Sequence, residues 1–235
     1  MTSKNSAIAI IPARGGSKRI PRKNIRLFSD KPIISYSIKN AINSKLFDKV
    51  IVSTDDKEIA EISTSLGAEV PFIRPSNLAD NQTGIFPVIN HAIDFFRNEN
   101  FDLVCTILAT APFLEKDFLV QGYNKLISSD ANNCFSATET SFPIQRTFQI
   151  NSLGRSQMFF PDQFEKRSQD LIKSYQDAGQ FYWTKIINRK IESAKDMFGN
   201  ESIPIILPKY LVVDIDDEED WKRAELMYRY LKKDA

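Results

Sequence analysis

Six cations lie within thirteen residues near the N-terminus, and no acidic residue interrupts them. They are Arg14, Lys18, Arg19, Arg22, Lys23 and Arg26. The segment also contains Gly15-Gly16-Ser17, a turn whose backbone N–H groups can approach an anion while arginines and lysines converge on it. Unpaired cations this close repel one another unless an anion is bound. The pattern favours a phosphate-binding loop over a solvated basic loop.

This basic loop, residues 14–26, matches neither of two common nucleotide-binding motifs. The chain contains no Gly-x-x-x-x-Gly-Lys-Ser/Thr and no Gly-x-Gly-x-x-Gly sequence. These absences argue against P-loop hydrolases and nicotinamide enzymes.

A second charged segment, residues 214–220, contains acids and no base. Its members are Asp214, Asp216, Asp217, Glu218, Glu219 and Asp220. Mg²⁺ prefers hard oxygen ligands and is commonly held by one or two carboxylates together with substrate phosphates. Helix initiation is the alternative, because Asp216-x-x-Glu219 is an acceptable capping box and acids are favoured in a first helical turn. That alternative does not extend to Asp214, which we expect at the end of a strand.

Composition restricts the class of protein. The chain has 235 residues, 42% hydrophobic and 26% charged, which is typical of one globular domain. Its formal charge of +1 argues against a general nucleic-acid binder. No run reaches the roughly 18 apolar residues of a spanning helix, and the first apolar segment is too short for a signal peptide. We therefore expect a cytoplasmic protein with no membrane or nucleic-acid partner.

Strands and helices alternate along the chain. Apolar runs predict strands at 7–11, 49–53, 69–73, 101–108 and 134–138, and helical spacing predicts helices at 31–42, 55–66, 86–97 and 116–128. This pattern predicts an α/β fold with a Rossmann-like, mostly parallel sheet flanked by helices. Ligands of such folds bind at the carboxyl ends of the strands. The basic loop, the region of Asp55 and the loop 109–114 should therefore line one crevice.

Regularity breaks from 141 to 175, where aromatic residues follow no clear period. We interpret this segment as a small insertion in a single domain spanning 1–235, either packing against a partner subunit or closing the monomer's own core. Regular segments return at 179–183, 203–207 and 210–213, and a helix is predicted at 217–231.

The basic loop also carries a resemblance. Residues 12–24 read Pro-Ala-Arg-Gly-Gly-Ser-Lys-x-x-Pro-x-Lys-Asn, which resembles the signature of the CMP-sialic acid synthetase family, the cytidylyltransferases that activate nine-carbon keto sugar acids. Further matches are Val-Ser-Thr-Asp at 52–55, Arg-Pro-x-x-Leu-Ala-Asp at 74–80, Ala-Thr-Ala-Pro-Phe at 109–113, Asp-Ala-Gly-Gln-Phe-Tyr-Trp at 177–183 and Asp-Ile-Asp at 214–216. The branch that acts on pseudaminic acid is the most similar.

The resemblance implies a fold of the nucleotide-diphospho-sugar transferase type. It also assigns individual residues of this chain to a binding site. The implied nucleotide-binding residues are Ala13, Arg14, Gly15, Gly16, Ser17, Lys23, Asn24, Arg74, Asp80 and Thr83. Among these, Arg74 and the turn 80–83 would read cytosine, although a surface arginine before a proline is an alternative for Arg74. Asp214 and Asp216 would bind Mg²⁺. Arg14, Lys23 and Asp214 would be the catalytic residues.

The sugar site differs from that of many sialic acid synthetases, which have a glutamine where this chain has Ala109. An alanine removes a hydrogen bond and leaves apolar space, which suits a sugar with a methyl or acyl feature. The residues predicted to contact the sugar are Ala109, Thr110, Arg146, Gln180 and Tyr182.

The predicted reaction is attack of the sugar's anomeric hydroxyl on the α-phosphorus of CTP, releasing pyrophosphate, with cations and Mg²⁺ stabilising the charge. Sialic acid, legionaminic acid and an eight-carbon keto-deoxy acid are alternative substrates, and a non-catalytic nucleotide-binding module is an alternative of another class. The resemblance also implies a homodimer in which the insertion 141–175 reaches the partner's active site.

Overall fold

The computed structural model describes residues 5–80, 82–191 and 197–233. Five α-helices lie in these ranges: α1 Ile34–Ser44, α2 Lys57–Ser65, α3 Ile85–Phe95, α4 Lys116–Ile127 and α5 Glu218–Lys233. The strands are β1 Ala7–Pro12, β2 Leu27–Phe28, β3 Lys31–Pro32, β4 Lys49–Ser53, β5 Leu103–Ile107, β6 Asn133–Glu139, β7 Phe148–Ile150, β8 Ser156–Met158, β9 Tyr175–Lys185 and β10 Ser202–Ile206.

Six strands form the central sheet, in the order β10-β6-β9-β5-β1-β4. β1 pairs in parallel with β4 and β5, and β6 pairs in parallel with β10. Only β9 runs antiparallel, and it pairs with both β5 and β6 in the middle of the sheet. The predicted α/β class with a mostly parallel sheet is confirmed.

Helices cover both faces of the sheet, which explains why β1 is a continuous apolar run. Ala9 and Ile11 of β1 pack in one cluster with α1 and α4, and Ile8 and Ile10 pack in a second cluster with α3. All four side chains are fully buried. The two layers of core hold the carboxyl end of β1, and therefore the start of the basic loop, in one place.

Helix α5 packs beside the chain that leaves the basic loop. Trp221 of α5 and Phe28 of β2 are buried in a third cluster, with their rings edge to face at 5.5 Å. Because the acidic segment immediately precedes and begins α5, this packing brings it next to the basic loop.

Three predicted elements differ from the structure. The predicted strand at 69–73 is reduced to two isolated bridges, Ile51 with Glu69 and Thr54 with Ile73. The segment 210–213 contains the end of a 3-10 turn, Lys209–Leu211, and Asp214 follows in irregular backbone. The expectation that Asp214 ends a strand is therefore wrong. β9 begins earlier than predicted, at the end of the insertion.

The insertion consists of the hairpin β7–β8 and short 3-10 turns, and its aromatic side chains are exposed. Phe142 is 79% exposed and Phe164 is 62% exposed. The alternative in which these aromatics close the monomer's own core is wrong, because they lie outside each buried cluster of the described residues.

Among the residues that the structure describes, no helix is long and apolar enough to cross a membrane. Cys105 and Cys134 are buried free thiols.

Candidate functional site

A crevice of about 550 Å³ opens at the carboxyl ends of β1 and β5. The structure brings together ten of the predicted site residues in its lining: Arg14, Ser17, Lys23, Asn24, Arg74, Asp80, Thr83, Ala109, Thr110 and Asp216. Asp55 was expected in this lining and does not belong to it. It lies beside the basic loop, where its carboxylate accepts the N–H of Gly15 at 3.0 Å.

Short contacts hold the basic loop against the sheet. The N–H of Ala13 donates to the Ser53 carbonyl at 2.9 Å, and the side-chain amide of Asn24 donates to the Arg14 carbonyl at 2.9 Å. A Cβ on Gly15 would lie 2.7 Å from a carboxylate oxygen of Asp56, so this position requires glycine. Gly16 has open space around it. These contacts preorganise the loop, and they leave free space beside Gly16.

The six cations of the loop do not all converge on one point. Arg14, Lys18, Arg19 and Lys23 line the crevice. Arg22 pairs with Asp56 and Glu58. Arg26 pairs with Glu218 at 2.5 Å and lies over the Trp221 ring. The expectation that the six are unpaired is therefore wrong, since acids distant in sequence neutralise part of the cluster.

The acidic segment contacts the basic loop directly. Arg19 pairs with the Asp216 carboxylate at 2.6 Å. The ammonium of Lys23 donates to the Ile215 carbonyl at 2.6 Å and lies 3.8 Å from Asp216. Burial lowers the pKa of Lys23, and the charge of Asp216 opposes that shift. The two charged segments therefore form one bipolar wall of the crevice.

Helix α5 begins with a capping box that is one residue later than predicted. The Asp217 carboxylate accepts the N–H groups of Glu219 and Asp220 at 2.9 and 3.0 Å. In return, Asp220 accepts the N–H groups of Asp216 and Asp217. Because Asp217 and Asp220 form this box, the proposed Asp216–Glu219 box is wrong and the Asp216 side chain is left for other partners.

The donor set of Asp214 and Asp216 fits a divalent cation that phosphates help to hold. Burial, and next the charge of Asp216, raises the pKa of Asp214. In the described part of the chain no group of three or more His, Cys, Asp or Glu residues could hold a metal ion. One or two carboxylates together with substrate phosphates are the ligands with which proteins commonly hold Mg²⁺.

Arg74 is buried, only 5% exposed, which makes the surface-arginine alternative wrong. Its guanidinium donates to the hydroxyl and carbonyl of Ser53 and reaches the Leu78 carbonyl. Burial lowers its pKa. Arg74 thereby fastens the end of β4 to the Ser76–Leu78 turn, which forms one wall of the crevice.

The side chain of Asp80 binds the backbone of residues 82 and 83. Asp80 accepts the N–H groups of Gln82 and Thr83 at 2.9 and 2.6 Å, and these bonds hold the pKa of its carboxyl below the ordinary value. Arg14 donates to the Asp80 carbonyl at 2.7 Å. This bond links the basic loop to the turn across the crevice.

Two further cavities adjoin the crevice, and Leu108 lines all three. One cavity of about 230 Å³ is mainly apolar, with side chains of α3, Met197 and Phe198 in its lining. The other, of about 720 Å³, contains Asp214. Tyr182 lies between them and donates to the Asp177 carboxylate at 2.5 Å. Burial, and next this hydrogen bond, raises the pKa of Tyr182.

Asp177 lines both of these cavities, and the sequence reasoning did not select it. Its position at the start of the Asp-Ala-Gly-Gln-Phe-Tyr-Trp match is the signal that could have identified it.

Two predicted sugar contacts, Gln180 and Arg146, line neither the crevice nor the two adjoining cavities. Gln180 is 4% exposed, and its amide donates to the Leu211 carbonyl at 2.6 Å. Within the described ranges its amide oxygen has no hydrogen-bond partner. Arg146 stays within the insertion, where it donates to the Phe164 and Lys166 carbonyls. In this chain Gln180 supports the backbone that leads to Asp214, and Arg146 supports the insertion.

Comparison with known proteins shows the family to which this chain belongs. Residues 8–190 match the family model described as cytidylyltransferase. The chain belongs to the cytidylyltransferase family. The predicted enzyme class, a nucleotidyltransferase, is thereby confirmed.

Relatives of this cytidylyltransferase match more than nine-tenths of its chain. A pseudaminic acid cytidylyltransferase of Campylobacter jejuni is 45% identical and covers 94% of this chain and 96% of its own. A CMP-N,N′-diacetyllegionaminic acid synthase of Legionella pneumophila is 38% identical, over 93% and 94% of the two chains. Among solved structures, a CMP:2-keto-3-deoxy-manno-octonic acid synthetase complexed with CTP matches with a TM-score of 0.67 at 13% identity, over 96% of this chain and 99% of that one.

Proposed function

We propose that this enzyme couples CTP to pseudaminic acid, giving the CMP-sugar and pyrophosphate. The 45% identity to a pseudaminic acid cytidylyltransferase, over nearly the full length of both chains, is the observation that carries this proposal. The crevice supports it because its wall combines four cations of the basic loop with the Asp216 carboxylate, and Asp214 lines the adjoining cavity.

The triphosphate of CTP would lie along the basic loop. Arg14, Ser17 and Lys23 face the crevice and supply positive charge and hydrogen-bond donors. The backbone of 13–16 approaches from β1, and Asn24 secures it by its bond to the Arg14 carbonyl. Nucleotidyl transfer depends mainly on positioning and charge stabilisation, which a preorganised cationic loop provides.

The cytosine would lie between the basic loop and the turn 80–83. Arg74 supports this wall from behind, and Asp80 and Thr83 present polar atoms at its edge. The bond from Arg14 to the Asp80 carbonyl gives this base site a defined width.

Asp214 and Asp216 would hold Mg²⁺ together with phosphate oxygens. When bound, the ion would supply positive charge near the α-phosphoryl group. Asp216 would hold the ion in place of its ion pair with Arg19. Arg14 and Lys23 would bind the phosphates that leave as pyrophosphate, both before and during the reaction. Attack by the sugar hydroxyl is in line, and no covalent enzyme intermediate is required.

The sugar would occupy the cavities next to Leu108. Ala109 and Thr110 follow Leu108 and line the crevice, and Tyr182 lines both the apolar cavity and the one that contains Asp214. A sugar acid with a terminal methyl and acylated amines can place those groups in the apolar cavity, because burial of apolar surface is favourable. Gln180 acts on this site through the segment that it supports.

We further propose a homodimer in which the insertion 141–175 contacts the partner. Its exposed aromatic side chains offer an apolar surface of the kind that interfaces bury. A sugar contact by Arg146 then belongs to the partner's site, because this side chain lies outside the crevice of its own chain. A cytoplasmic location and the lack of nucleic-acid and membrane partners stay predictions.

A substrate panel tests the proposed function. Purified protein is incubated with CTP, Mg²⁺ and one sugar acid at a time, and pyrophosphate release is measured. We expect release with pseudaminic acid well above that with sialic, legionaminic or keto-deoxy-octonic acid. The 38% identity to a legionaminic acid enzyme makes legionaminic acid the second candidate. Release with sialic acid and none with pseudaminic acid would overturn the choice of sugar.

A further inference from the structure

Arg22 does not line the crevice, although the next two residues of the basic loop, Lys23 and Asn24, do. Its guanidinium donates to both carboxylate oxygens of Asp56 and to Glu58. Asp56 also caps α2 by accepting the N–H of Ile59 at 2.9 Å. Arg22 therefore ties the basic loop to the first turn of a helix.

The backbone at Arg22 turns consecutive side chains towards different parts of the molecule. Its φ of 56° and ψ of 27° are left-handed, and its carbonyl accepts the N–H groups of Ile25 and Arg26. The Arg22 side chain reaches α2, whereas the Lys23 ammonium reaches the Ile215 carbonyl. A non-glycine residue adopts this conformation at a cost, which the surrounding contacts must offset.

Asp55 and Asp56, which immediately precede α2, also hold the beginning of the basic loop. Asp55 accepts the N–H of Gly15, and Asp56 packs so closely on Gly15 that a Cβ could not fit. The two residues thus hold the loop at Gly15 and again at Arg22. The cations Arg14 and Lys23 lie next to these two attachment points.

We propose that the Arg22–Asp56 pair is a positioning device that holds the loop cations where the triphosphate of CTP needs them. This inference rests on the proposed function, because it assigns Arg22 a role in that reaction. Arg22 makes no contact in the crevice, so it acts through Lys23 and Arg14. Contacts of these cations with the phosphates are present before and during the reaction, so loosening the loop weakens binding of CTP more than it slows the chemical step.

Kinetics and calorimetry of four variants test the proposal. For Arg22→Gln we expect the KM and Kd for CTP to rise about fivefold or more while kcat changes less than about twofold. Arg22→Lys should recover part of this loss, because lysine restores the charge without the bidentate geometry. Arg22→Gly accepts the left-handed backbone without strain, so it removes the pair alone and should resemble Arg22→Gln. Arg229→Gln, which breaks an exposed pair with Glu225 on α5, is the matched control.

A double-mutant cycle with Asp56→Asn completes the test, because asparagine keeps the helix cap and loses the charge. We expect Asp56→Asn to weaken CTP binding as Arg22→Gln does, and the double variant to be no weaker than either single variant. Additive losses, unchanged CTP affinity in Arg22→Gln, or wild-type affinity in Arg22→Gly would overturn the proposal. The wild-type protein tests the proposed function separately, because failure to release pyrophosphate would refute that function. The CTP affinities of the variants test whether Arg22 positions the loop cations.

Discussion

Asp214, Asp216 and Asp217 lie within four residues, yet the structure gives them different tasks. Asp217 satisfies backbone N–H groups of α5, Asp216 pairs with Arg19, and Asp214 lines the cavity next to Tyr182. A helix start that already has its own cap leaves the two preceding carboxylates available for chemistry.

Replacing Asp214 by asparagine tests the metal assignment. The variant loses a charged oxygen ligand, so we expect kcat to fall by roughly 10²-fold or more and the Mg²⁺ dependence to shift to higher concentration. Pyrophosphate release is measured over a Mg²⁺ titration, with Asp130→Asn as the exposed control. Activity that matches the wild type at each Mg²⁺ concentration would remove Asp214 from the site.

The Arg22–Asp56 pair also predicts a pH dependence of stability. The hydrogen bond from Arg22 holds the pKa of Asp56 below its ordinary 3.8. A lowered pKa in the folded state contributes stability above the ordinary value, and that stability is lost as the pH falls through the lowered pKa. For this partly exposed pair we expect about 0.5–1 kcal/mol.

Denaturant unfolding of the wild type and of Arg22→Gln at several pH values measures this contribution. The difference in unfolding free energy should be constant above about pH 5 and shrink below about pH 4. Curves that stay parallel to the lowest pH at which both proteins fold would contradict the assignment.

Most of the crevice could be predicted from the sequence because its residues lie in one long motif and in loops that follow parallel strands. Asp177 was missed because its role depends on a bond to Tyr182 five residues later. The ion pairs Arg22–Asp56 and Arg26–Glu218 could not be predicted, because the two acids lie far from the basic loop in the sequence.

At the scale of elements, the capping box of α5 positions the acidic segment. Asp217→Ala leaves two N–H groups without their acceptor, so we expect a loss of about 1 kcal/mol in the free energy of unfolding. Asp216→Ala should leave stability nearly unchanged and abolish most activity. Thermal and denaturant unfolding, measured together with pyrophosphate release, separate the two variants. If Asp216→Ala lost stability and Asp217→Ala lost activity instead, the Asp216–Glu219 capping box would be supported.

The sheet was predicted well where apolar runs are buried on both faces and less well at its edge. Residues 69–73 pair with Ile51 of β4 and with Thr54 just after it through isolated bridges, because Pro71 has no backbone N–H to donate to a continuous ladder. The start of β9 was missed because Tyr175 and Gln176 show no apolar period and belong to the ladder only through β6.

At the scale of the whole molecule, the proposed dimer can be tested by complementation. Asp214→Asn inactivates a site through its own chain, whereas Arg146→Ala should inactivate the partner's site. Mixed dimers of the two inactive variants contain one intact site, so mixing should restore up to about a quarter of wild-type activity. Sedimentation should show a dimer at micromolar concentration. Activity absent from the mixture, or a monomer in sedimentation, would contradict the arrangement.

The position of β9 has a consequence for how the chain folds. β5, β1 and β4 can pair as soon as residues up to Ile107 exist, but β6 and β10 join this group only through β9. Because β9 follows the insertion, its hydrogen bonds with β5 and β6 link residues far apart in sequence and form after the pairing of β5, β1 and β4. Such non-local closure slows folding. We therefore expect an early N-terminal nucleus, with assembly of the sugar cavities as the last and slowest phase of folding.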